Sequence, residues 1–168
     1  MKLILVRHAA AIESSSEISD ADRYLTPEGR VFFRKTSRTL LKNGVEPAAI
    51  LTSPLIRAVQ TADILAESLS FCGPLIIRNE LRPGFGMKKL ERLLGEYQSV
   101  DELVLIGHEP DLSEVISSLI NLAGSFNFKK GAAVKLKINP ADLSTPAPFK
   151  WLALGKKLIT AQDEALIS

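Results

Sequence analysis

Four short aliphatic runs, each followed by a segment of helical character or a turn leading into one, set what this chain can fold into. They are Leu3–Val6, Ala49–Thr52, Leu75–Ile77 and Leu103–Ile106. Runs this short, rich in β-branched and aliphatic residues, read as strands. Thr26-Pro27 sets a capping hydroxyl ahead of a proline at the first helical position. Val31, Phe33, Leu40 and Leu41 can line the inner face of that helix, and Asn43-Gly44 ends it. Ser53-Pro54 repeats the cap-then-proline pattern, and Ala58, Val59, Ala62, Leu65, Ala66 and Leu69 follow at helical spacing. Pro83-Gly84-Phe85-Gly86 reads as a turn, with helix from there through Leu94. Asp111-Leu112-Ser113-Glu114 matches a capping box, with helix continuing over Val115 to Leu122. Ala132–Ile138 and Phe149–Leu154 read as two more strands, joined by the proline-rich loop Asn139–Pro148. Strands alternating with helices imply an α/β fold, a three-layer α/β/α sandwich around a mostly parallel sheet. The closing strand pair is expected to add antiparallel edges.

Residues 1–168 are expected to form one domain, since 168 residues with 46% hydrophobic and 24% charged are in the range of a single globule. Lys and Arg number 21 against 19 Asp and Glu, a net charge of +2, too small to point to nucleic acid. The sole cysteine, Cys72, excludes an intramolecular disulfide and multi-cysteine metal sites, and it suits a reducing compartment. The N-terminal apolar run is only Leu3 to Val6 before Arg7-His8, shorter than the roughly seven residues of a secretory core. No run approaches the roughly 18 apolar residues of a membrane span. A cytoplasmic protein with no membrane or nucleic-acid partner is expected.

Ligands of open α/β sheets bind beyond the carboxyl ends of the strands. Arg7-His8 follows the first strand here, Ser53-Pro54-Leu55-Ile56-Arg57 the second, Arg78-Asn79-Glu80 the third and Gly107-His108-Glu109 the fourth. Both histidines of the chain therefore fall directly after a strand, and parallel strands bring all four segments to one sheet edge. Two arginine forks suit phosphate oxygens. The histidines can donate hydrogen bonds, or one can act as nucleophile, and a nearby glutamate can carry a proton. Such a cluster suits phosphoryl transfer. Arg23 and Arg82 could help hold substrate, but surface arginines are the default. Asp20, Asp22 and Asp63 form no metal-ligand pattern with the histidines, so no metal or other cofactor is expected.

The motifs resemble those of a known family. Leu3-Ile4-Leu5-Val6-Arg7-His8-Ala9 is similar to the Arg-His-Gly signature of the histidine phosphatase (phosphoglycerate-mutase-like) superfamily, and Leu25-Thr26-Pro27-Glu28-Gly29 to its Leu-Thr-x-x-Gly element. Ser53-Pro54-Leu55-Ile56-Arg57-Ala58-Val59-Gln60-Thr61 matches the family's Ser-Pro-x-x-Arg segment, and Val104-Leu105-Ile106-Gly107-His108 its late histidine motif. The short chain and Glu80-Leu81-x-Pro83 resemble the compact SixA-type phosphohistidine phosphatases. The matches run from residue 3 to about 112, in the family's order.

The resemblance implies a phosphoglycerate-mutase-like fold, with His8 as the nucleophile that carries the phosphoryl group. It implies Arg7, Arg57 and His108 as its clamp, and it places Glu80 in the region where many relatives carry a proton donor. Ala9 stands where most relatives have glycine, and would strain the backbone if φ there were positive. From Arg57 to Glu80 is 23 residues and from Glu80 to His108 is 28, largely used by a helix and a strand each, so no large lid fits. An open site suits a phosphate on a protein surface. Imidazole, with a reference pKa of about 6.5, also leaves more easily than an alkoxide. The expected activity is hydrolysis of protein phosphohistidine. The alternatives are a small-molecule phosphomonoesterase on the same fold, and a phosphate-binding regulatory module that has lost turnover.

Overall fold

Leu3, Ile4, Leu5 and Val6 are all fully buried, as a strand covered on both faces must be. They lie in β1 (Lys2–Arg7) of a computed structural model that describes residues 1–124 and 126–167. After β1 come α1 (Pro27–Lys42), β2 (Ala49–Thr52), α2 (Ile56–Leu69), β3 (Leu75–Ile77), α3 (Met87–Glu96), β4 (Glu102–Gly107) and α4 (Asp111–Leu119). Then follow β5 (Ala132–Lys137), β6 (Phe149–Leu154), β7 (Lys157–Ile159) and α5 (Gln162–Ile167). Single turns of 3-10 helix form at Asp20–Asp22 and Asn79–Leu81.

The sheet runs β3-β2-β4-β1-β5-β6-β7. The first four strands are parallel, and β5, β6 and β7 are antiparallel to their neighbours. Alternate residues of β1 feed two cores, because successive side chains of a strand point to opposite faces. Leu3 and Leu5 pack with Leu90, Leu93, Leu94, Val115 and Ile116 of α3 and α4. Ile4 and Val6 pack with Phe33 and Leu40 of α1 and Ala58, Ala62 and Leu65 of α2. The fold is thus the expected three-layer α/β/α sandwich. The antiparallel part is larger than the expected closing pair, since β7 forms the edge. β7 has only two aliphatic residues, Leu158 and Ile159, against three in β3, too few to mark it beforehand, and α5, six residues long, is too short to show helical periodicity.

Three local expectations are corrected. Val31 and Leu41 are exposed, at 55% and 50%, while the buried stripe of α1 is Gly29, Phe33, Thr36, Ser37 and Leu40. Positions 31 and 33 lie about 200° apart on a helix, so both cannot face inward. Thr36 is buried because its hydroxyl donates to Gly131 O and accepts from Gly155 N, both at 2.9 Å. Asp111 does not form a capping box: Pro110 occupies the cap, and the Asp111 carboxylate accepts from Gly84 N and Phe85 N across the turn. Glu109 takes the capping role, accepting from Ser113 N at 3.1 Å. α4 also ends at Leu119, before the expected Leu122. Thr26, by contrast, caps α1 as expected, accepting from Gly29 N at 3.0 Å.

Candidate active site

The β1–β4 ladder pairs Arg7 with Gly107, and His8 N donates to Gly107 O at 3.2 Å. The residues just past the two strands, His8 and His108, therefore come side by side, with ring centroids 5.1 Å apart. Ser53 N donates to Ile106 O at 3.1 Å, which sets the end of β2 next to the same point. Arg57 stands in the first turn of α2. Arg7, His8, Arg57 and His108 thus gather at the carboxyl end of the parallel strands.

His8 is 7% exposed. Its Nδ1 lies 2.8 Å from Ala9 O, an acceptor, so Nδ1 carries the proton. Nε2 is left with a lone pair, and it accepts from Arg57 Nε at 3.2 Å. The imidazole pKa is pushed down to about 3, chiefly by burial, with His108, Arg57 and Arg7 adding to the shift and the Ala9 carbonyl opposing it. The ring is neutral at pH 7, with its unprotonated nitrogen facing the Arg57 guanidinium, a tautomer whose Nε2 lone pair could act as a nucleophile.

His108 is oriented by Ser53, whose Oγ lies 2.8 Å from its Nε2. Its Nδ1 is buried with no partner among the described residues. Burial first, then Arg57 and Arg7, lower its pKa to about 4, against an opposing pull from Asp20. Arg7 Nη1 donates to Phe128 O at 2.6 Å, while its buried Nε has no partner among the described residues. Arg57 is 4% exposed and donates from Nη1 to Asp20 O at 2.5 Å and from Nη2 to Asp20 Oδ2 at 3.1 Å. Unpaired buried polar groups are costly, and a tetrahedral oxyanion would satisfy Arg7 Nε and, in the tautomer where Ser53 Oγ donates to Nε2, His108 Nδ1.

The remaining motif residues lock this frame. Thr61 Oγ1 accepts from Ala9 N at 3.1 Å and donates to Arg57 O at 2.7 Å, joining the His8 segment to α2. A Cβ on Gly29 would lie 2.2 Å from Ala10 O, so only glycine lets α1 approach the chain that leaves His8. Ala9 brings no backbone strain, since the non-glycine residues at positive φ, among the described residues, are Ser70 and Asn121. Ser53 does not cap α2, whose cap residue is Leu55; its hydroxyl serves His108 instead.

Glu80 is bound through both carboxylate oxygens by Arg78, at 3.2 and 3.1 Å, and this pairing lowers its pKa. An ionised carboxylate has no proton to donate, so the structure does not favour Glu80 as an acid. Glu109, next to His108, has the opposite setting. It is half-buried, its pKa is raised chiefly by burial, and Ser113 Oγ donates to it at 2.5 Å. It also borders a cleft of about 670 Å³ lined by Ser113, Glu114, Ser117 and Asn121. Sequence order put Glu109 beside the site, but only the structure shows that Arg78 pairs Glu80 and leaves Glu109 without such a partner among the described residues. Among the described residues, no three His, Cys, Asp or Glu side chains converge as metal ligands would. No helix among them is long and apolar enough to cross a membrane.

The histidine phosphatase superfamily (branch 1) model matches residues 3–96 of the chain. The chain belongs to this superfamily. It is a phosphatase. An uncharacterized protein of Picosynechococcus sp. is 31% identical over 164 residues, covering 90% of this chain and 99% of that protein. The structure of the protein histidine phosphatase SixA complexed with tungstate superposes with a TM-score of 0.81 at 24% identity, over 92% of this chain and 97% of that one. The alpha-ribazole phosphatase from Shigella flexneri superposes with a TM-score of 0.65 at 19% identity, over 96% of each chain. The fold is thus shared by phosphatases of different substrates, and substrate choice rests on details of the site.

Proposed function

We propose that this phosphatase hydrolyses phosphohistidine on a protein, passing the phosphoryl group through His8. The observation that carries the reading is the unprotonated Nε2 of the neutral His8 ring, which accepts from Arg57 Nε at 3.2 Å. In the first step the Nε2 lone pair forms a bond to phosphorus as the bond from phosphorus to the substrate imidazole breaks. The departing imidazole takes up a proton from solvent as it leaves. In the second step water attacks phosphorus and gives up a proton to solvent, the bond to Nε2 breaks to return His8 to its neutral form, and inorganic phosphate leaves. Arg7, Arg57 and His108 hold the phosphoryl oxygens through both displacements, where catalysis is mostly positioning and charge stabilisation. No step requires a metal or other cofactor.

The substrate class is supported by the likeness to SixA and by the short crossings on either side of Glu80, which are used by α2, β3, α3 and β4. The ion-paired Glu80 supports it too, because an imidazole leaving group asks less of a general acid than an alkoxide does. The reading places the protein in the cytoplasm, where its exposed, unpaired Cys72 would stay reduced. Turnover of a phosphohistidine-bearing protein should exceed that of a sugar phosphate in kcat/KM. Faster hydrolysis of the sugar phosphate would overturn the assignment.

Phosphomonoester hydrolysis is the second reading, favoured by Glu109, whose surroundings hold a proton more tightly than those of Glu80. Loss of monoester turnover in Glu109→Gln, with phosphohistidine turnover intact, would mark Glu109 as the acid of a secondary activity.

A further inference from the structure

Every nitrogen of the Arg57 guanidinium is engaged. Nε donates to His8 Nε2, and the two terminal nitrogens donate to the backbone carbonyl and the carboxylate of Asp20. Asp20 lies in the polar stretch between β1 and α1, 12 residues beyond His8. Its loop is closed at the base by Ile12 N donating to Tyr24 O at 3.0 Å and by the Ala11–Leu25 bridge. Within the loop, Arg23 donates to Ile12 O at 2.6 Å and to the other carboxylate oxygen of Asp20 at 2.9 Å. Asp20 is thus gripped by two arginines, one buried in the site and one anchoring the loop.

We infer that Asp20 is a positioning residue, fixing Arg57 so that its Nε edge meets the phosphoryl group on His8. The inference rests on the proposed roles of His8 and Arg57. A guanidinium held at its terminal nitrogens cannot swing away on its long stem, so its Nε–H stays beside His8 and turns from the Nε2 lone pair to a phosphoryl oxygen once that lone pair bonds phosphorus. Each terminal nitrogen carries two N–H groups, so a phosphoryl oxygen can still be bound while Asp20 keeps its bonds. The Asp20 carboxylate also balances a buried charge while the site holds no phosphate.

The test uses the full-length protein with a phosphohistidine-bearing protein as substrate, with Asp20→Ala, Asp20→Asn, Arg57→Ala and the double variant Asp20→Ala/Arg57→Ala. Asp20→Ala should lower kcat at least tenfold with a smaller change in KM, since misplacement by about 1 Å can cost about a hundredfold. Asp20→Asn, which keeps the acceptor oxygen, should recover most of the loss. In the Arg57→Ala background, removing Asp20 should cost nothing further. A full additional loss there, or tighter binding of inorganic phosphate with faster turnover in Asp20→Ala, would overturn the inference: the carboxylate would act elsewhere, or would compete with phosphate. Normal turnover in Arg57→Ala would instead sink the site assignment on which it rests.

Discussion

The buried, neutral state of His8 has a consequence for stability that can be worked from the structure. Unfolded, the imidazole takes up a proton near pH 6.5; folded, it refuses one until about pH 3. Above pH 6.5 both states are neutral and the group contributes nothing to the pH dependence. As pH falls below 6.5 the unfolded chain binds a proton that the folded chain does not, so stability falls with it. At about 1.4 kcal/mol per pH unit, going from pH 7 to about pH 4.5 should remove about 2.5 kcal/mol through His8 alone. Replacing His8 by Asn removes this proton from both states. Urea unfolding of the wild type and of His8→Asn at the two pH values isolates the effect, because His108 and the carboxylates are common to both proteins. The loss between pH 7 and about 4.5 should be smaller in the variant by about 2.5 kcal/mol. Equal losses would mean that the ring titrates normally, and that burial does not hold it neutral. The same neutrality predicts that kcat/KM shows no acid limb near pH 6.5 from His8.

Ser53→Ala should leave the fold intact and cut kcat about tenfold, because His108 Nε2 loses the hydroxyl 2.8 Å away that orients the ring; normal turnover would remove Ser53 from the site. Gly29→Ala should lower both Tm and activity, since the new Cβ meets Ala10 O at 2.2 Å and overpacking costs about 1–3 kcal/mol; a gain in Tm, as helix propensity alone predicts, would contradict the close approach. Lys135→Met should destabilise by about 3–5 kcal/mol in urea unfolding. It leaves unpaired the buried Glu102 carboxylate, which accepts from Lys135 Nζ at 2.6 Å and Glu46 N at 2.8 Å.

What could be read beforehand was what repeats or what topology forces. Strand–helix alternation implies a parallel sheet, and a parallel sheet sets Arg7-His8, Ser53 and Gly107-His108 at one edge whatever else the chain does. Contacts made by single side chains across space were not legible. Nothing in the polar stretch from Glu13 to Arg23 marks Asp20 over Asp22 as the partner of Arg57; the path of the loop decides that. Glu80 and Glu109 are alike on paper, each following a strand. One lands beside Arg78 and stays ionised, while the other is half-buried next to His108. Ser53 and Asp111 both sit in helix-start patterns, yet tertiary partners, His108 Nε2 for one and the Gly84 and Phe85 amides for the other, claim their side chains.

The central claim is that phosphate passes through a covalent bond to one particular nitrogen. Rapid quenching of the protein with a labelled phosphohistidine donor, followed by base-stable digestion and mass spectrometry, tests it directly. An acid-labile phosphoryl group on His8, absent from His8→Ala, is the result predicted. Full turnover with no phosphoenzyme, or a phosphoryl group on another residue, would contradict it.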